Sequence, residues 1–172
     1  VAYFVTPYEV VSKLLIIPAV LVSVLFPEIS RLGKDNSPRI RQLYRTSMRG
    51  LGFVMAVLCV LVYLLAETGL TLWIDAGFAV NSYRVAQILA VGVFINAFGH
   101  VAQVVLQGSG RPDITAKVHV AELIAYIPYL SYLISAYGIE GAAYAWSIRV
   151  FISTCVLMFL ANKCLSGNIT TR

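Results

Sequence analysis

The sequence predicts an all-α membrane protein, a polytopic transmembrane helical bundle of about five helices in one domain covering residues 1–172. Three observations carry that expectation. Hydrophobic residues make up 59% of the chain and charged residues only 12%, where a soluble domain holds about 25% charged residues. The mean hydropathy is +0.82. The apolar residues fall into runs at residues 4–26, 51–72, 85–106, 118–137 and 142–161, each close to the ~20 residues that cross ~30 Å of hydrocarbon as a helix.

The first run ends at Pro27 and contains Pro18, and the fourth contains Pro128. A proline frees a backbone carbonyl, so both internal prolines are expected to interrupt their helices. Between the first two runs, residues 28–50 carry Arg31, Lys34, Arg39, Arg41, Arg45 and Arg49 against Glu28 and Asp35. That stretch reads as a solvated basic loop, with an interfacial amphipathic helix or an anionic-lipid contact as the alternatives. Arg111 and Lys117 mark the next basic turn, and Lys163 and Arg172 the tail. Residues 73–84 and 137–141 are expected to be loops and hold only Arg84 as a basic residue. Basic loops stay in the cytoplasm, so the chain is expected to end inside, with Trp73, Tyr83, Tyr137 and Tyr144 at the outer boundary. Gly138, Gly141, Ala142 and Ala145 form a small-residue surface suited to close helix packing.

The net charge of +5 invites a nucleic-acid reading, which the placement of the basic residues between spans sets aside. Cys59, Cys155 and Cys164 are isolated and behave as small hydrophobes, and His100 and His119 are far apart in sequence. No metal or cofactor is expected. There is no phosphate-cradling loop, catalytic triad or carboxylate pair, so the chain does not read as an enzyme. Asn168-Ile-Thr170 matches a glycosylation acceptor, but on an expected cytoplasmic tail it carries no meaning. The chain opens at Val1, already inside an apolar run, and reads as part of a longer protein.

The candidate functional residues lie in the apolar runs. Asn96, His100, Gln103 and Gln107 fall at i, i+4, i+7 and i+11, within about 60° of one another on a helix. Hydrocarbon cannot satisfy amides, so this polar stripe must face protein or water. Lys13 sits one turn after Glu9. It reads either as a cavity cation or as half of a Glu9–Lys13 pair that reaches the interface. Arg149 lies ~12 Å into its helix at 1.5 Å per residue, with no acid at i±3 or i±4. It reads as a cavity residue, the alternative being a pair with an acid on another helix. Glu122, Tyr126 and Tyr129 share one face, Glu122 being read as interfacial or Arg-paired ahead of a proton site. His100 could titrate near neutral pH, so His100 and Glu122 are the candidates for ion coupling.

Several motifs resemble the O-antigen (polysaccharide) flippase family, in the superfamily that includes multidrug and toxic compound extrusion transporters and lipid II flippases. They are Leu106-Gln-Gly-Ser-Gly-Arg-Pro-Asp-Ile-Thr-Ala-Lys-Val-His119, Gly138-Ile-Glu-Gly-Ala-Ala-Tyr-Ala-Trp146 with Arg149, and Leu25-Phe-Pro-Glu-Ile-Ser-Arg31. The resemblance implies two six-helix lobes around a shared cavity with alternating access. This chain would be the C-terminal lobe less its first helix, with the N-terminal lobe of the same chain missing. It further implies transfer of undecaprenyl-diphosphate-linked oligosaccharide across the bacterial inner membrane in O-antigen or lipopolysaccharide biosynthesis. A polysaccharide polymerase and chain-length machinery would be partners. On that reading Arg149 and Lys13 attract the anionic head group, and Asn96, His100, Gln103 and Gln107 meet sugar hydroxyls. The alternatives are an ion-coupled multidrug exporter of the same superfamily, or a non-transporting scaffold of a glycan-assembly complex.

Overall fold

The computed structural model describes residues 2–32 and 37–166, and among them every regular element is helical. Lys34, Asp35, the Asn168-Ile-Thr170 sequon and Arg172 lie outside the described residues. The helices are α1 (Ala2–Ser12), α2 (Ile16–Leu32), α3 (Ser37–Trp73), α4 (Ala76–Gly108) and α5 (Pro112–Leu165), with a 3₁₀ turn at Lys13–Leu15 joining the first two. Ala2–Leu32, α3, α4 and α5 are each long and apolar enough to cross a membrane.

Local chemistry explains where these helices depart from the expected boundaries. Proline at position 18 cannot donate to the Leu14 carbonyl, and the chain tightens into its 3₁₀ turn there. Pro27, by contrast, does not end the helix, which runs through it to Leu32. Among the described residues the basic stretch is helix and not loop, residues 28–32 ending α2. From Ser37 it is the first part of α3, with Ile40 and Tyr44 buried and the Arg41 Nη2 donating to the Leu165 carbonyl at 2.8 Å. The expected loop at 73–84 shrinks to Ile74 and Asp75, because Asp75 caps α4 by accepting from the Phe78 backbone N–H at 2.8 Å.

The fourth and fifth expected runs are the two arms of α5. A straight helix of 54 residues would be ~81 Å long at 1.5 Å per residue, far beyond a bilayer. It folds back at Gly138, whose φ of 58° and ψ of −131° suit a residue without Cβ. Pro128 does not interrupt its arm; the break belongs to Gly138. Next to it, Gly141 faces the backbone of Leu133 so closely that a methyl group would overlap the Leu133 carbonyl oxygen. The reversal thus brings the arms together in antiparallel register, with Glu122 beside Arg149 and Ser153.

α4 is the axis of the bundle and packs against α1, α2, α3 and α5. Its buried positions include Ala79, Ser82, Ala86, Ala90, Gly92, Ala97, Gly99 and Ala102, small residues that let neighbours approach. The second arm of α5 runs parallel to it. Ser147 Oγ donates to the Ile88 carbonyl at 3.2 Å and Thr154 Oγ1 to the Ile95 carbonyl at 3.4 Å, so both helices advance by the same interval. A Cβ on Gly92 would lie 2.6 Å from Trp146 Cζ3, and one on Gly99 would lie 2.8 Å from Thr154 Oγ1.

Gly141→Ala is therefore expected to destabilise the full-length protein by about 2–4 kcal/mol, because the obstacle is backbone. Gly69→Ala, with open space around the added methyl, should raise stability by at most about 1 kcal/mol. Unfolding by denaturing detergent checks both.

Candidate functional site

A Schellman motif starts the site by closing α4. The Arg111 N–H donates to the Leu106 carbonyl at 2.9 Å and the Gly110 N–H to the Gln107 carbonyl at 3.0 Å, with Gly110 at φ 78°. Pro112 then opens α5, where its missing N–H costs nothing. Arg111 and Lys117 both reach Asp113, at 3.2 and 3.7 Å. This turn places the first arm of α5 across α4, so that three helices enclose polar side chains.

Two cavities meet there. The larger, about 500 Å³, lies along the two arms of α5 and is walled largely by apolar groups, among them Val118, Ala125, Ile152 and Val156, with Tyr126 and Tyr129 beside them. The smaller, about 180 Å³, lies between α4 and both arms. Asn96, His100 and Gln103 line it from α4, His119 and Glu122 from the first arm, and Ser153 and Thr154 from the second. Glu122, Arg149 and Ser153 border both cavities.

Arg149 finds its acid on the other arm. Its Nη1 lies 3.4 Å from Glu122 Oε1, and its guanidinium stands 5.1 Å from the centre of the Tyr126 ring, within cation–π range. The other Glu122 oxygen accepts from Ser153 Oγ at 3.1 Å and lies 3.0 Å from His119 Nδ1. The Arg149 Nε is buried without an acceptor, as is the Tyr129 hydroxyl. Burying an unpaired donor costs about 1–3 kcal/mol, so the site has unused capacity for an acceptor. Among the described residues no cluster of His, Cys, Asp and Glu is arranged to hold a metal ion.

The structure gathers most of the expected residues but not all. Asn96, His100, Gln103, Glu122 and Arg149 come together. Gln107 sits in the last turn of α4, where its carbonyl serves the Schellman motif, and the polar cavity stops short of it. Lys13 is exposed on the 3₁₀ turn and borders neither cavity. Among the described residues no ion pair joins it to Glu9. Sequence reasoning missed His119, Ser153 and Thr154. The signal was present: His119 and Glu122 are one helical turn apart, and a reversal at Gly138 puts Glu122 level with Ser153 and Thr154.

A helical, multi-pass membrane protein with a charged site between its helices is the class this geometry defines. The comparisons then supply the family. The MatE family model matches residues 30–133, and the chain belongs to the MatE family. It is also 34% identical, over 96% of its own length, to a Shigella flexneri protein provisionally named an O-antigen transporter, of which it spans 39%. The name of that relative is the name of a transporter. No solved structure matches the chain.

Since Arg149 is about a third exposed on its side chain and Glu122 is 13% exposed, each of Arg149→Met and Glu122→Gln is expected to cost about 1–3 kcal/mol of stability. The double variant should cost about 1 kcal/mol less than their sum. A double-mutant cycle on unfolding midpoints measures that coupling.

Proposed function

We propose that this chain is part of a flippase that carries an undecaprenyl-diphosphate-linked oligosaccharide, an O-antigen or other polysaccharide repeat unit, across the bacterial inner membrane by alternating access. The observation that carries the reading is the meeting of an apolar and a polar cavity at Arg149. An amphiphile with a diphosphate between a hydrocarbon chain and sugars matches that sequence of surfaces. The chain would lie against Val118, Ile152 and Val156, the diphosphate at the Arg149 guanidinium, and the first sugars at Asn96, His100 and Gln103. A guanidinium is suited to this, being permanently charged and able to donate in pairs to phosphate oxygens. The name of the Shigella flexneri relative supports the same substrate class. The basic stretches of α3 and of the turn before α5 would then face the cytoplasm. Because the chain spans 39% of that relative, the rest of the cavity would be built by sequence outside it.

A cation exporter would draw on Glu122, Tyr126 and Tyr129. Here Arg149 already occupies the face of Tyr126 and neutralises Glu122, so the place of a cationic substrate is filled by the protein's own cation.

In the full-length protein, Arg149→Ala at equal membrane abundance is expected to lower delivery of lipid-linked oligosaccharide to the periplasmic leaflet at least about tenfold. Arg149→Lys should retain part of it, since charge survives but paired donation does not. Normal delivery by both variants would overturn the assignment.

A further inference from the structure

Arg149 is incompletely satisfied, and the carboxylate facing it is shared. On the reading of Arg149 given above, that sharing assigns a function to two residues beside it. The Arg149–Glu122 contact, at 3.4 Å, is long for a charge-assisted hydrogen bond, which ordinarily spans about 2.7–2.9 Å. The Arg149 Nε is buried with no acceptor. Glu122 divides its oxygens, one toward Arg149 and the other toward His119 and Ser153.

The groups around the carboxylate come from each packed element. His119 and Tyr126 belong to its own arm, Arg149 and Ser153 to the second arm, and His100 reaches the same cavity from α4. Tyr8 of α1 stands edge-on to Trp146 nearby. Lys117, the nearest lysine along the arm, is engaged with Asp113 and exposed.

We infer that Glu122 is the resident counter-ion of this site, shared between Arg149 and His119 when the site is empty and given over to His119 when an anionic diphosphate occupies Arg149. With His119 neutral, Glu122 offsets the Arg149 charge and competes with an arriving anion. Protonating the His119 imidazole changes the net charge of the trio from zero to plus one and draws the carboxylate toward the imidazolium. Both effects favour the anion. Anion binding therefore strengthens as pH falls and the imidazole takes up its proton, and weakens as pH rises and the proton is lost. By reciprocity, a bound diphosphate raises the proton affinity of His119. The exchange involves no covalent step: one proton enters from water onto the imidazole as the anion arrives and leaves when it departs.

The test is binding of farnesyl diphosphate, a diphosphate on a hydrocarbon chain, to the full-length protein in lipid nanodiscs at about pH 5.5 and about pH 8. Wild type is expected to bind about tenfold more tightly at the lower pH. Glu122→Gln should bind at the higher pH as tightly as wild type does at the lower, with the pH dependence gone. His119→Gln should remain weak at both. His119 is 48% exposed on its side chain, so that variant tests the exchange without disturbing packing. Arg149→Ala separates the two claims. If it abolishes binding while Glu122→Gln keeps the wild-type pH dependence, the counter-ion exchange is overturned and the Arg149 site stands. If Arg149→Ala binds like wild type, the Arg149 reading falls and the exchange with it. Retention of the wild-type pH dependence in His119→Gln would also overturn the exchange. Tighter binding of inorganic diphosphate than of farnesyl diphosphate would overturn the lipid as the source of the anion.

Discussion

The contacts that join Glu122 to Arg149 and Ser153 depend on the reversal of α5 at Gly138. Two helical arms of one continuous element must lie side by side, and the backbone has to turn within about a residue to let them. Gly138 supplies the torsion angles, and Gly141 lacks the Cβ that would overlap the Leu133 backbone. Once that apposition is set, the register is set with it, because each arm is a regular helix. Glu122, Arg149 and Ser153 meet as a consequence. In a lipid-facing environment such a meeting matters more than in water, since an unpaired charge at depth costs at least about 2.5 kcal/mol on insertion scales.

The second organising contact is the parallel pairing of α4 with the later arm of α5. Its hydroxyl donors, Ser147 and Thr154, bond to backbone carbonyls that already serve the α4 helix, and Gly92 and Gly99 open the space that Trp146 and Thr154 fill. Apolar side chains alone discriminate poorly between helix registers when the surroundings are equally apolar. Small residues and hydroxyls are what distinguish one register from the next. This pairing aligns the Asn96, His100 and Gln103 stripe with Arg149 across a narrow crevice.

Much of this was legible in the residues. The apolar runs gave the helices, because span length and hydropathy are properties of local sequence. The polar stripe on α4 was visible because helical periodicity projects Asn96, His100 and Gln103 onto one face. Helix ends were less legible. Pro27 suggested a stop and did not make one, while the Arg39 to Arg49 stretch looked like loop and is helix. Charge density reports where a segment lies relative to the membrane, not whether its backbone is coiled. The pairing of Arg149 with Glu122 was not legible from spacing along either helix, since it depends on the position of a single reversal. Gly138 lies inside the expected 137–141 loop, but the sharpness of its reversal, and so the register of the two arms, is not a property of local sequence.

The two charged partners of the site are carried on supports of unequal stiffness. The arm bearing Arg149 is pinned by Gly141 at one end and by the Arg41 grip on the Leu165 carbonyl at the other, and it buries Ala143, Val150, Leu157 and Ala161 along its length. From residue 119 to residue 139, the arm bearing Glu122 buries only Leu133. A segment with few buried contacts opens at lower free energy than one clamped along its face. Mechanically, Arg149 is the stator of this pair and Glu122 the moving contact. Within this chain, displacements that separate them are therefore carried by the arm bearing Glu122, while the arginine keeps its place against α4.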